Sequence, residues 1–476
     1  MMTLVSSFYQ LPSSPTYTCI DRFGLHPESD AAEDTVGAVP FWPILHTLLS
    51  QPTLSTKALI DLLETISTTL CGTAAPAGDH ALLGRTVDHP CRQDFFTKWW
   101  PQIVDLALQM PDLFPTGRLP ILLLNSQGNT AQKFSISRRQ TACLVVHQFL
   151  RTLRAPAWRH DGTHDFGIWY GSAQRHESAA LMYLEALFTY FEEVVCDAER
   201  LDWEGWRVVY TLKSVNDFDK QFTRVFPLSE VEVLPVERYD VSPASLGLPG
   251  SAAVVSANKY VGFGQSATQE EVHVGSSPEA CPAVLVTPPL GDAQVLVVEG
   301  AQAMTNITGQ KRDIRIEAMS MPEGGEGAWR DRKMLFMDAL ELDLVESEAE
   351  NATLPDFLPG NMEREVRKAY TAFGFGGFDE VRTGLWGCGA FGGDPVVKML
   401  LLWYAASMSA VKLIVVCDKQ SEVAGKQFRE LVPKIRGRYK SANGIKELLD
   451  SAPKSLLRGQ TALWFKAVLV EAEGES

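Results

Sequence analysis

Val381-Arg382-Thr383-Gly384-Leu385-Trp386-Gly387-Cys388-Gly389-Ala390-Phe391-Gly392-Gly393-Asp394-Pro395 joins an apolar, β-branched run to a long helical pattern. Val381 to Leu385 reads as a strand. Asp394 is the expected helix cap and Pro395 the first helical position, where the missing N–H costs nothing. A strand that passes through a glycine-rich loop into a helix is the repeating unit of an α/β fold. Four glycines in this loop have two physical uses. They let the backbone approach a diphosphate closely, with unpaired N–H groups of the following helix end pointing at it, or they merely make a tight buried turn. The loop matches neither common phosphate signature: GxxxxGK[ST] is absent, and Gly387, Gly389 and Gly392 come late in the chain, not after its first strand.

Outward from this unit, strands and helices alternate from Trp206 onward. Strands are expected over Arg207 to Leu212, Val231 to Val236, Ala252 to Val255, Ala283 to Thr287, Gln294 to Val298, Met334 to Ala339, Val381 to Leu385 and Val411 to Cys417. Helices are expected over Asn361 to Phe373, Pro395 to Ala410, Val423 to Ile435 and Ile445 to Leu449. Such interleaving predicts a mixed or largely parallel sheet with helices on both faces. Before Trp206 the chain reads as helical. Leu59, Leu63, Ile66 and Leu70 share one face of a helix capped at Thr53 or Ser55. Phe95 to Met110 carries Trp99, Trp100, Ile103 and Leu106 as far as Pro111, Ser135 to Ser137 caps a helix through Leu150, and Glu177 to Val195 is a fourth. The expected organisation is therefore an all-α accessory domain over 1–205 and an α/β domain over 206–476.

The 476 residues are 45% apolar and 21% charged, as in an ordinary globular protein. A net charge of −15 excludes a broad phosphate-neutralising surface, so direct DNA binding is not expected and a polyanionic ligand must be gripped locally. The eight cysteines form no CxxC pair and none has a histidine at zinc-ligand spacing, and the His164 and His176 region shows none either; no metal and no disulfide framework is expected. Met1 to Ser14 lacks the pattern of a secretory signal, and no apolar segment is long enough for a bilayer. These features predict a soluble intracellular monomer with no membrane contact, in which the sequons at Asn306 and Asn351 are unused.

A second stretch carries chemistry. Gly262-Phe263-Gly264-Gln265-Ser266-Ala267-Thr268-Gln269-Glu270-Glu271 follows the strand expected from Ala252 and ends on two adjacent carboxylates. Taken together, Gly264…Gln269-Glu270-Glu271 and Trp386-Gly387-Cys388-Gly389-Ala390-Phe391-Gly392-Gly393-Asp394, about 115 residues later, resemble the paired signature of the poly(ADP-ribose) glycohydrolase family. The resemblance extends over roughly 90 to 420. It implies a macrodomain, a mixed sheet between helices, preceded by a helical accessory domain, and an enzyme that hydrolyses the ribose–ribose O-glycosidic bonds of poly(ADP-ribose) to release ADP-ribose without a cofactor. By the same resemblance, Glu271 is the general acid that protonates the leaving 2′-oxygen and then deprotonates the attacking water. Glu270 orients the ribose, Asn258 contacts the same sugar, and Gln269 supports the loop. Gly387, Cys388, Gly389, Ala390, Phe391, Gly392 and Gly393 cradle the diphosphate, and Gly262, Phe263 and Gly264 cover it from the other side. The chemistry fits, because an oxocarbenium-like transition state needs a proton for the leaving group and nearby negative charge. A second carboxylate alongside is one means of holding that proton. Implied partners are poly(ADP-ribose), ADP-ribose and ADP-ribosylated proteins, in the nucleus or cytoplasm and in the DNA damage response.

The chain departs from the family pattern at several positions. The acidic residue three positions before the asparagine is Val255, the glycine triplet is Gly262-Phe263-Gly264, and the asparagine before the tryptophan is Leu385. The tyrosine that stacks on adenine in the animal enzymes is Gln310, after Thr308-Gly309. These departures resemble the divergent members carried by filamentous fungi. Lys259, Lys311, Arg312 and Arg382 are candidates for local positive charge. The alternative is a non-catalytic macrodomain that binds ADP-ribose or its polymer; the glutamate pair is what separates the two, since a pure binder has no use for two desolvated carboxylates.

Overall fold

The computed structural model describes residues 7–26, 37–71, 78–124, 130–160, 162–173, 176–196, 203, 205–216, 218–221, 224–309, 313–344, 354–453 and 456–471. At its centre is an eight-stranded sheet of β1 (Ala131–Ser137), β2 (Arg207–Ser214), β3 (Val231–Pro235), β4 (Ala252–Ala257), β5 (Gln294–Glu299), β6 (Lys333–Asp338), β7 (Glu380–Thr383) and β8 (Lys412–Cys417). The spatial order is β1-β2-β5-β6-β4-β7-β8-β3. Neighbours from β6 to β3 pair parallel, and those from β1 to β6 antiparallel.

Side chains alternate strictly between two cores, as the two-residue period of a strand requires. Val255, Ala257, Leu296, Val298, Met334 and Phe336 face a layer of helices that includes α1 (Thr56–Cys71), α2 (Trp100–Leu108), α3 (Arg138–Phe149) and α4 (Glu177–Tyr190). Val254, Val295, Val297, Leu335 and Met337 face the opposite way. They pack against α6 (Asn361–Phe373), α7 (Pro395–Met408) and α8 (Glu422–Arg438), while α5 (Gln269–Gly275) lies beside β4.

Three expectations are corrected. Ala131–Ser137, inside the segment read as all helical, is the edge strand paired with β2, and the helical layer shares its core with one sheet face. The change at residue 206 is thus one of composition and not a break in packing. Ala283 to Thr287, expected as a strand, is a helical turn over Ala283–Val286; a four-residue apolar run looks the same in either state. The single helix expected from Phe95 to Met110 is a π-turn, Phe95–Trp99, followed by Trp100–Leu108, and Pro111 sits in the first turn of a further short helix, Met110–Leu113.

The pairing of β4 positions the site. It runs beside β6 along its whole length, from Lys333↔Ala252 to Asp338↔Ala257, but beside β7 only at Ala252 and Ala253. Beyond that point β4 and β7 part, and a crevice opens at the carboxyl ends of the parallel strands, where open α/β sheets bind ligands.

Candidate active site

Parting from β7 leaves Val254 O and Ser256 N on the free edge of β4, and buried backbone groups need partners. Gln269 supplies both: its Oε1 accepts from Ser256 N at 2.6 Å and its Nε2 donates to Val254 O at 2.8 Å. Nε2 also lies 3.1 Å from His273 Nε2. Burial, helped by the Arg332 charge, pushes His273 down to about 3, so its neutral ring accepts there. Gln269 therefore welds the start of α5 to the strand.

Thr268 caps α5 in a capping box: its Oγ1 accepts from Glu271 N at 3.3 Å, and Glu271 Oε2 accepts from Thr268 N at 3.1 Å. Glu271 Oε1 lies so close to the neighbouring loop that a Cβ on Gly264 would be 2.0 Å from it. Among the described residues Oε1 has no hydrogen-bond donor, and Glu271 lines the cleft.

Glu270, one residue earlier on the helix, turns inward and is 7% exposed. Its Oε1 accepts from Gly262 N and its Oε2 from Asn258 N, both at 2.8 Å. Burial pushes this carboxyl up to about 8, against the pull of those two N–H groups; the Glu271 charge adds to the rise and Arg159 opposes it. The surroundings of Glu270 thus hold a proton on it at neutral pH. Asn258 Oδ1 accepts from Tyr260 N at 3.0 Å, which leaves its Nδ2 without a protein acceptor among the described residues.

The loop between them is stapled to the helical layer. Phe263 is buried against the stacked pair of Phe166 and Trp169, with ring centroids 5.4 and 5.3 Å away. Trp169 Nε1 donates to Gly264 O at 2.7 Å and the Tyr183 hydroxyl to Ser266 O at 2.6 Å. Phe263 therefore anchors the loop, although its edge still lines the cleft. Gly262 has φ +152°, and a Cβ there would be 2.6 Å from Val284 Cγ1, so only glycine fits. Arg159, from the helical layer, donates to Val261 O and to Thr163 Oγ1.

Across the crevice, the glycines of the second loop divide into two sets. A Cβ on Gly387 would meet Ala339 at 2.6 Å, and one on Gly393 would meet Lys398 at 2.4 Å. These two, with Gly392, satisfy the tight-turn reading, and Gly392 and Gly393 do not line the cleft. At Gly389 a Cβ would meet nothing within 4 Å, so the protein itself does not demand glycine there. Among the described residues the N–H groups of Gly389, Ala390 and Phe391 have no acceptor, whereas that of Cys388 is held by Leu385 O. The expectation that the helix end offers its own N–H groups is corrected: Asp394 Oδ1 already accepts from Val396 N at 3.0 Å and Val397 N at 3.1 Å. The cradle is the loop alone. Beneath it the buried Lys398 pairs with Glu365, and Trp386 Nε1 donates to Met337 O at 2.8 Å, tying the loop to the end of β6.

Together these walls enclose a cleft of about 1470 Å³. Asn258, Gly262, Phe263, Gly264, Gln269, Glu270 and Glu271 line one side and Gly387 to Phe391 the other. Val255 does not line it; it packs in the core toward the helical layer, so the absent acid leaves no gap in the wall. Leu385 and Arg382 do line it, and Arg382 is paired with Glu380 at 3.0 Å. Gln310, Lys311 and Arg312 lie outside the described residues; the adjacent Gly309 N donates to Tyr239 O at 2.6 Å, and Tyr239 lines the cleft. Sequence reasoning missed Arg159 and Tyr239, for which no local signal exists, and Thr268, which the Thr-x-x-Glu spacing announces.

A mixed sheet with an acid-bearing loop and a glycine cradle facing each other across the ends of its parallel strands defines a macrodomain, here backed by a helical layer. Family models agree: residues 245–425 match the macro domain fold of poly(ADP-ribose) glycohydrolase, and residues 87–205 match its helical domain. The chain belongs to the poly(ADP-ribose) glycohydrolase family. It is 26% identical over 256 residues to poly(ADP-ribose) glycohydrolase 2 of Caenorhabditis elegans, covering 50% of this chain and 50% of that protein. It is 25% identical over 220 residues to poly(ADP-ribose) glycohydrolase 1 of Arabidopsis thaliana, covering 32% of this chain and 40% of that one. The chain thus spans half or less of the length of these relatives. Among solved structures, the Thermomonospora curvata poly(ADP-ribose) glycohydrolase aligns with a TM-score of 0.32 at 12% identity, over 46% of this chain and 85% of that one. The Deinococcus radiodurans enzyme in complex with ADP-ribose aligns at 0.30 and 14%, over 46% and 92%.

Proposed function

We propose that this protein hydrolyses the ribose–ribose O-glycosidic bonds of poly(ADP-ribose) and releases ADP-ribose. The observation that carries this reading is the pair of carboxyls opening α5 opposite a cradle whose three N–H groups have no acceptor among the described residues. One carboxyl is buried and held by backbone donors; the other has an uncommitted oxygen on the cleft. The diphosphate lies against the N–H groups of Gly389, Ala390 and Phe391. The distal ribose then sits against Glu270 and Asn258 Nδ2, which fix its hydroxyls.

Glu271 Oε1 delivers a proton to the 2′-oxygen as the C1″–O bond breaks and its electron pair passes to that oxygen. Water attacks C1″ of the resulting oxocarbenium-like sugar and loses its proton to the same carboxylate, which restores the acid. Glu270, proton-bearing at neutral pH, donates to a ribose hydroxyl and adds no second charge once Glu271 has given up its proton. ADP-ribosylated proteins in the nucleus or cytoplasm, including those made in response to DNA damage, are the proposed source of polymer. The eight unpaired cysteines suit those reducing compartments.

The test is digestion of poly(ADP-ribose) by wild type and Glu271→Gln, with ADP-ribose binding measured by calorimetry. The variant is expected to lose at least about 100-fold in turnover, while its affinity for ADP-ribose stays within about tenfold. A wild-type protein that binds ADP-ribose but never shortens the polymer is a reader and not a hydrolase; undiminished turnover by Glu271→Gln removes Glu271 from the proton transfer.

A further inference from the structure

Residues 258–262 form a lip of the cleft, and their backbone is fixed at every position. The N–H groups of Asn258 and Gly262 are held by Glu270, Lys259 O accepts from Leu290 N at 2.8 Å, Tyr260 N donates to Asn258 Oδ1, and Val261 O is held by Arg159. This rigid segment nevertheless holds an aromatic ring out in solvent: Tyr260 is 43% exposed. Of the large exposed aromatics among the described residues, Phe8, Phe23 and Tyr260, only Tyr260 lines the cleft. The Lys259 ammonium lies 5.9 Å from its ring centroid. An exposed aromatic on an ordered backbone, with a cation beside it at the mouth of a cleft for a polyanion, is the construction on which nucleobases stack.

The substrate's connectivity says which base this is. Each distal ribose is joined through C1″ to the 2′-oxygen of the next adenosine, so the base nearest the broken bond belongs to the leaving unit. It emerges beside the residues that hold the ribose, and Tyr260 is bonded to one of them, Asn258. Resting on the glycohydrolase reading, we propose that Tyr260, with Lys259, is the platform on which the adenine of the leaving unit stacks. It selects polymer over simple ribosides.

The experiment compares wild type, Tyr260→Ala and Tyr260→Trp on two substrates: poly(ADP-ribose), and the O-alkyl glycoside of ADP-ribose at C1″, whose leaving alcohol has no ring to stack. Tyr260→Ala is expected to lower kcat/KM on the polymer about 5- to 100-fold, and on the alkyl substrate less than about twofold; Tyr260→Trp is expected to restore the polymer value. Equal polymer kcat/KM for wild type and Tyr260→Ala overturns the proposal. So does an equal fall on both substrates, which would make the ring a support of the lip. If wild type turns over neither substrate, the glycohydrolase reading itself fails and takes the platform with it.

Discussion

Glu270→Gln tests the electrostatics of the site without reference to turnover. In the fold the Glu270 carboxyl is pushed up to about 8, first by burial; in the unfolded chain it titrates near the ordinary value of about 4 to 5. The native state therefore binds the proton more tightly, and between these two values the unfolded state is the one that ionises. The sign follows: the stability linked to this group is fully present below the unfolded value and is lost as pH rises toward 8. From pH 5 to pH 7.5 the loss amounts to about 3 kcal/mol, since each unit of difference is worth about 1.4 kcal/mol. Glutamine does not titrate. It also turns an NH₂ group toward Asn258 N or Gly262 N, a fixed cost that does not change with pH and cancels when slopes are compared. Urea unfolding of wild type and variant at half-unit steps from pH 5 to 8 measures the difference directly. The two curves are expected to converge or cross as pH rises, the variant gaining about 3 kcal/mol relative to wild type over that range. Parallel curves would mean that Glu270 is not desolvated in the native state, and its role as a proton-bearing ribose contact would go with it.

Two glycines separate the chemistry from the scaffold. Gly264→Ala places a Cβ 2.0 Å from Glu271 Oε1, so the carboxylate must move; a shift of about 1 Å in a reacting group is expected to lower kcat on polymer about 100-fold, with ADP-ribose affinity and unfolding midpoint close to wild type, and an unaltered kcat would detach Glu271 from catalysis. Gly389→Ala meets nothing within 4 Å in the protein, so thermal unfolding should not shift. Its ADP-ribose affinity, measured by calorimetry, should fall at least about tenfold, and an unchanged affinity would place the diphosphate elsewhere.

The parallel half of the sheet was legible because β4, β6 and β8 are short apolar runs and β7 leads through its loop to an unmistakable helix start at Asp394-Pro395. β1 was missed for the opposite reason. As an edge strand it is polar on one side, and its inward residues Phe134 and Ile136 offer an alternation of only two. The two glycine loops were legible as a pair because each carries many fixed residues. The division of labour inside the second loop was not, because Gly387, Gly389 and Gly393 are separated by what lies next to them, Ala339, nothing and Lys398, and by the positive φ of Gly387, none of which a sequence displays. Arg159 lay beyond reach for the same reason, since it meets Val261 across 102 positions of chain. Burial also fell differently from expectation. The second carboxylate was read as one means of holding a proton on the general acid; the group that burial holds protonated is Glu270, where desolvation leads and the neighbouring charge comes after it.

That order of causes bears on why the two acids are adjacent at all. Successive residues on a helix point about 100° apart, so a helix laid along the opening between β4 and β7 must send one side chain toward the sheet and the next along the cleft. Thr268 fixes the phase by capping α5, and Gln269 fixes its position by completing the β4 edge. Glu270 is then driven inward onto the N–H groups of Asn258 and Gly262, and Glu271 is left at the surface of the crevice. A protein built only to hold ADP-ribose could satisfy those two N–H groups with a neutral acceptor and avoid a buried acid. The carboxyl costs stability at neutral pH, and such a cost is retained at a site where a proton-bearing oxygen beside a sugar has work to perform. The buried partner, more than the one on the cleft, is the structural argument for hydrolysis over simple recognition.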